Sequence, residues 1–179
     1  YTIGASGATF DSATSGVTWT IDRDSRSGYQ LATSGNVTLT GVGNMVFNTW
    51  LSGAYTLTKN GTGTATLSGT NTYSGVTTIS DGTLVLQYDA PNPTSKTFAG
   101  TGALRIQSSG TSFSSAFSTT GWNFGSTLSS LTLGKSGNTA GITVASDITV
   151  NGPITVFGGG VTLNNNLTTS NSTTGDISI

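Results

Sequence analysis

Apolar side chains recur along this chain at every second position in short runs, each run three to five residues long and most of them closed by Gly, Asn, Asp or Pro. Val17–Ile21, Val37–Thr40, Met45–Phe47, Tyr55–Thr58, Thr64–Leu67, Val76–Ile79 and Thr83–Gln87 read as strands on this pattern. So do Ala103–Gln107, Leu131–Gly134, Ile142–Ala145, Ile148–Asn151, Ile154–Phe157, Val161–Asn164 and Ile177–Ile179. Their β-branched content and period of two match half-buried strands, and the intervening residues are turn formers. No apolar spacing of three and four is sustained, so the chain predicts no helix.

The repeat is clearest near the C-terminus, where Ile142-Thr-Val144, Ile148-Thr-Val150, Ile154-Thr-Val156 and Val161-Thr-Leu163 share an apolar-Thr-apolar unit. Successive strand residues face opposite sides, so each Thr points away from its two neighbours. The units start six, six and seven residues apart, and three of them consume 19 residues. That is one circuit of a three-sided solenoid with one strand per side. It predicts Ile142 stacked near Val161 and Ile148 near Leu167. At roughly 20–23 residues per coil the chain makes about eight coils in a rod about 40 Å long, with strands about 4.8 Å apart. A β-sandwich is the alternative all-β architecture, but its turn signals fall about 8–12 residues apart.

The stretch LTKNGTGTATLSGTNTYSGVTTISDGTLVL, residues 57–86, resembles the passenger-associated repeat of bacterial autotransporters. The likeness rests on Leu57, Lys59, Gly61, Gly63, Leu67, Ser68, Gly69, Asn71, Thr72, Tyr73, Ser74, Gly75, Thr77, Ile79, Gly82, Thr83 and Leu84. Val76 departs from the small residue usual after that glycine. The resemblance implies a right-handed parallel β-helix, export and a place on the bacterial surface or outside the cell. ITVNGPITVFGGGVTLNNN, residues 148–166, likewise looks like coils of filamentous-haemagglutinin-type exoproteins.

Composition narrows the picture. Charged residues are 7% of the 179, the net charge is −1, and the chain has no Glu, His or Cys. With 34% hydrophobic residues it can fill the narrow interior of a solenoid but not a wide core. Six scattered cations do not make a nucleic-acid footprint. No apolar run is long enough to span a bilayer as a helix. The chain is expected to be a single solenoid segment over residues 1–179, part of a longer exported protein. Residues 88–130, with Asp89-Ala-Pro-Asn-Pro93 and a Ser- and Phe-rich tract, are the candidate for a loop excursion, because Pro91 and Pro93 lack backbone donors.

Candidate chemistry is sparse. Asp22-Arg23-Asp24-Ser25-Arg26-Ser27-Gly28 could pair two carboxylates, Asp22 and Asp24, as polysaccharide-active β-helix enzymes do. A solvated turn of mutually neutralising charges explains the same residues. Arg26 stands where a calcium loop would need an oxygen ligand. Ser–His and Cys–His nucleophiles and zinc sites lack their residues. Gly158-Gly-Gly160 lacks the Lys and helix of a phosphate loop and reads as a corner. Asn71 and Asn164-Asn165-Asn166 read as corner residues whose amides satisfy backbone groups. Trp19, Trp50, Tyr55, Tyr73 and Trp122 fit core filling, or sugar stacking if exposed in a row. Thr-x-Thr pairs at Thr18/Thr20, Thr38/Thr40, Thr56/Thr58, Thr62/Thr64 and Thr64/Thr66 resemble an ice-binding array, with irregular spacing.

The expectation is therefore a non-enzymatic surface or matrix rod, an adhesin, with no catalytic, metal or cofactor residues and no cofactor. Self-association, end to end or lateral, and a carbohydrate or host-surface ligand are its expected partners. An ice-binding solenoid and an enzyme using Asp22 and Asp24 are the alternatives.

Overall fold

The computed structural model describes residues 2–22, 30–88 and 95–179. Within them the chain is all β, and every strand pairing is parallel. Parallel pairing rules out hairpins and so rules out the sandwich alternative.

The strands recur in the same order circuit after circuit. A first face opens with Thr2–Ile3, Gln30–Thr33 and Trp50–Ser52, and is taken up again by Phe117–Ser118, Gly141–Val144 and Gly160–Leu163. A second face carries Ala8–Ser12, Val37–Gly41, Leu57–Lys59, Thr77–Ile79, Thr97–Gly100 and Asn123–Phe124, followed by Ile148–Val150 and Leu167–Thr169. The third face is one eight-stranded sheet: Thr18–Ile21, Asn44–Phe47, Thr64–Leu67, Thr83–Gln87, Ala103–Gln107, Ser130–Leu133, Ile154–Val156 and Ile177–Ser178. One strand per circuit on this face means eight coils, and eight rungs make a rod about 34 Å long.

Register shows why the apolar alternation works. Met45, Ala65, Leu84, Leu104, Leu131 and Ile154 stack as one inward column of the third face, and Phe47, Leu67, Leu86, Ile106, Leu133 and Val156 as the next. All are buried, within one continuous core cluster. Burying each of these side chains except the small Ala65 is worth about 1.5–3 kcal/mol. Ile142 stands in register with Val161 and Ile148 with Leu167, the stacking that the C-terminal repeat predicts. Ile142, Val144, Ile148, Val150, Ile154 and Val156 point inward and are buried, while Thr143, Thr149 and Thr155 lie on the outside.

The turn from second to third face is built on glycine. Gly41, Gly61, Gly82 and Gly100 all have positive φ, a conformation other residues avoid. A Cβ on Gly63 would overlap the carbonyl oxygen of Gly43 one coil away. Glycine lets successive corners approach to strand spacing there.

Coil length varies. Along the third face the chain advances 20 residues from Met45 to Ala65, 19 to Leu84 and 20 to Leu104. It then takes 27 to reach Leu131 and 23 each to Ile154 and Ile177. The stretch 88–130 gives four strands to the coils, and its extra length lies in the circuit between Leu104 and Leu131. The Asp89–Pro93 turn falls outside the described residues.

Large apolar side chains that remain exposed include core-column positions of the end coils. Trp19, 42% exposed, sits in register above Met45; Leu163 and Ile177 sit beneath Val144 and Ile154.

Candidate functional site

Cations in a chain this poor in charge are informative. Of the six, Arg23 and Arg26 lie outside the described residues, and Lys59 and Lys96 are buried at 3% and 2% exposure. The remaining two, Arg105 and Lys135, line one groove on the outer surface of the third face.

Arg105 is the centre of Ala103–Gln107, in register between Val85 and Thr132. Leu104 and Ile106 point into the core, so Arg105 and Gln107 must point out. Thr132 and Thr155 continue Arg105's column on the next two coils. Gly134, with φ +77°, follows the paired strand and packs against the Phe157 carbonyl, which a Cβ would overlap; Lys135 and Ser136 come next along the groove. Phe157, 38% exposed, closes the groove. Its backbone is fixed from both sides: its N–H donates to Leu133 O (2.8 Å), and its carbonyl accepts from Asn138 Nδ2 (2.7 Å). Asn138 also accepts at Oδ1 from Phe113 N–H (3.0 Å) and Ser112 Oγ (2.9 Å), tying that corner together.

The groove has a volume of about 380 Å³, and none of its lining residues is acidic. Lys135 Nζ has one distant carbonyl neighbour, Ser109 O at 3.5 Å. Two cations, hydroxyls, an amide and one exposed aromatic form a surface that can hold an anion but supplies no base or nucleophile pair.

The two buried lysines work inside the fold. Lys59 occupies a core column between Leu39 and Ile79, and its Nζ turns to the glycine corner. There it donates to Gly61 O (2.6 Å), Asn60 O (3.2 Å) and Asp81 O (3.3 Å). Burial pulls its pKa down, and the nearby Asp81 carboxylate opposes that pull. Lys96 Nζ donates to Tyr73 O and lies 3.7 Å from the centre of the Tyr73 ring. Burial lowers its pKa to about 8.

Asp22 is exposed and accepts a hydrogen bond from Asn48 Nδ2, while Asp24 lies outside the described residues. Among the described residues no group of three or more acidic side chains could hold a metal ion. Asn71 is fully buried: its Oδ1 accepts from Leu51 N–H (2.9 Å) and its Nδ2 donates to Gly69 O (3.1 Å), the corner role the sequence suggests. Asn165 Nδ2 donates to Ala145 O (2.8 Å), and Asn166 N–H to Asp147 Oδ1 (2.9 Å); these asparagines close a corner on the coil before. Tyr55, Tyr73 and Trp122 are buried, with Tyr55 stacked on Tyr73 at 5.3 Å, so the aromatics form no exposed row. The Thr pairs divide between faces. Thr9, Thr38, Thr58 and Thr78 form a true outward column on the second face, but Val46 and Val85 interrupt the column through Thr20 and Thr66 on the third.

The eight coils and their inward columns make this chain a parallel β-helix. Residues 57–86 match the family model of the passenger-associated-transport-repeat. The match runs from Leu57–Lys59 through the next circuit to Thr83–Gln87, and so includes two glycine corners, the Lys59 clamp and buried Asn71 and Tyr73. No curated protein and no solved structure matches the chain. No helix among the described residues is long and apolar enough to cross a membrane.

Sequence reasoning missed the groove. The alternation around Leu104 and Ile106 places Arg105 and Gln107 outward, and that signal was readable. Their neighbourhood with Lys135 and Phe157 depends on the 27- and 23-residue coils, whose lengths no local pattern announces.

Proposed function

We propose that this chain is a stiff, exported passenger-type rod of a bacterial surface protein, a non-enzymatic adhesin. The observation that carries the reading is the passenger repeat at residues 57–86, seated in a solenoid whose outer faces are almost uncharged. The coils hold binding groups away from the cell on a backbone stiffened by parallel ladders. Brief protease treatment of intact source cells, followed by detection of this segment, tests export; a segment found only inside the cell removes the reading. Beads coated with the chain are expected to adhere to cells or extracellular matrix. New reducing ends released from a polysaccharide by the purified chain, and lost in Asp22→Ala, would replace the adhesin with an enzyme.

Self-association belongs to the same proposal. Trp19, Leu163 and Ile177 are exposed apolar side chains in register with the buried core columns through Met45, Val144 and Ile154. Parallel ends are mutually complementary, and head-to-tail stacking does not close. Light scattering over a concentration series is expected to show growing linear species. A chain that stays monomeric at the highest concentrations defeats this part.

A further inference from the structure

We infer that the groove formed by Arg105, Gln107, Thr132, Lys135, Thr155 and Phe157 is a binding site for a carboxylate-bearing polysaccharide chain. This rests on the reading of the chain as a non-enzymatic binding rod, and it names the ligand class and the residues that take it. The two cations among the described residues that are not buried, exposed Arg105 and half-buried Lys135, line this one groove, separated along the chain by 30 residues and brought together only by coil stacking. Arg105 has its carboxylate-shaped fork on the surface of a rigid sheet, where a planar guanidinium pairs a carboxylate through two parallel hydrogen bonds. Lys135 supplies a second positive charge as a point donor.

The rest of the groove suits sugar rather than a bare anion. Thr132 and Thr155 hydroxyls and the Gln107 amide offer donors and acceptors to ring hydroxyls. The exposed face of Phe157 gives a sugar ring's C–H face an apolar platform. Gly134 lets the Phe157 backbone approach the groove floor, since a Cβ there would overlap the Phe157 carbonyl oxygen. A nucleic acid fits less well, since two cations and one aromatic give neither a phosphate track nor a row of stacking platforms. The groove is open and bordered along its column by uncharged Val85 and Ser178, so a polymer can run past it over the neighbouring coils.

The test is isothermal titration of the full chain with an oligogalacturonate, and with neutral dextran, dextran sulfate and a DNA duplex for comparison. Oligogalacturonate is expected to bind and dextran not to bind, with affinity falling as salt rises. Arg105→Gln combined with Lys135→Gln should weaken oligogalacturonate binding at least tenfold, and Phe157→Ala severalfold. Arg105→Lys keeps the charge but loses the fork, and should fall between wild type and Arg105→Gln. All these side chains are at least partly exposed, so circular dichroism and melting should match the wild type. Absence of oligogalacturonate binding, or binding unchanged in the double variant, overturns the site. Tighter binding of dextran sulfate at equal charge overturns the carboxylate assignment, and equal binding of the DNA duplex overturns the sugar assignment. The titration reads the groove alone; export and adhesion are read on cells, so either proposal can fail without the other.

Discussion

Replacing Lys96 by Met tests whether a buried cation without a carboxylate is a cost to this fold. Lys96 is 2% exposed, its Nζ meets Tyr73 O and the Tyr73 ring, and its pKa falls from 10.5 to about 8. That depression is equivalent to about 3 kcal/mol against the charged form. Met fills a similar volume without charge but gives up the hydrogen bond, worth about 1 kcal/mol. Lys96→Met should therefore stabilise the chain by about 1–2 kcal/mol at pH 7, read as a higher urea midpoint. The pH dependence carries the sign. Between pH 8 and 10.5 the unfolded lysine holds a proton that the folded one has released, so unfolding takes up a proton and stability rises with pH. From pH 7 to 9.5 the wild type should gain about 2 kcal/mol from this group, and the variant should lack that gain. Lys59 shifts in the same direction, so the reading is the difference between the two proteins. The window stops below pH 10 because buried Tyr55, Tyr73 and Tyr88, whose pKa values are raised, remove stability above it. A Met variant that is less stable at pH 7 and shows the same pH slope as the wild type refutes the reasoning.

Lys59→Met should do the opposite at pH 7, costing about 2–3 kcal/mol in urea denaturation, because three corner carbonyls lose their shared donor. Tyr73→Phe should cost about 1 kcal/mol by melting, since its hydroxyl is 2.8 Å from Thr77 Oγ1. Tyr88→Phe should be neutral or slightly stabilising in the same assay, because the buried Tyr88 hydroxyl has no partner to lose.

The fold was legible where residues repeat and illegible where they do not. Apolar-Thr-apolar units at near-constant spacing are enough to place Ile142 over Val161, because a two-residue period and a fixed coil length leave one register. Strands of two residues, such as Thr2–Ile3, Phe117–Ser118 and Asn123–Phe124, escape such reading because they are too short to show a period. On the first face the circuit through Tyr73 has no strand of its own among the described residues, although Thr72 N–H still reaches Leu51 O at 2.9 Å. There, stacked aromatics replace the ladder. Lys59 and Lys96 were opaque for a different reason: lysine is rarely buried, and only the corner geometry and the Tyr73 ring explain their position.

A parallel solenoid also explains where the few charges go. Every outward position continues as a column with its neighbours about 4.8 Å away, so repeating one charge along a column sets like charges side by side. Threonine avoids that, which accounts for Thr9, Thr38, Thr58 and Thr78 standing in line. A cation is then tolerated in two kinds of place. One is inside, where the Lys59 clamp supplies three carbonyls; the other is a column interrupted by uncharged residues. Arg105 is of the second kind, flanked by Val85 and Thr132 rather than by a like charge. Its charge makes no contribution to the ladder, and Val85 or Thr132 would serve the strand as well. A charged residue that breaks a repeat without serving the fold is a candidate for contact with something outside the rod, and this is the physical ground on which the groove containing Arg105 and Lys135 is proposed as a binding site.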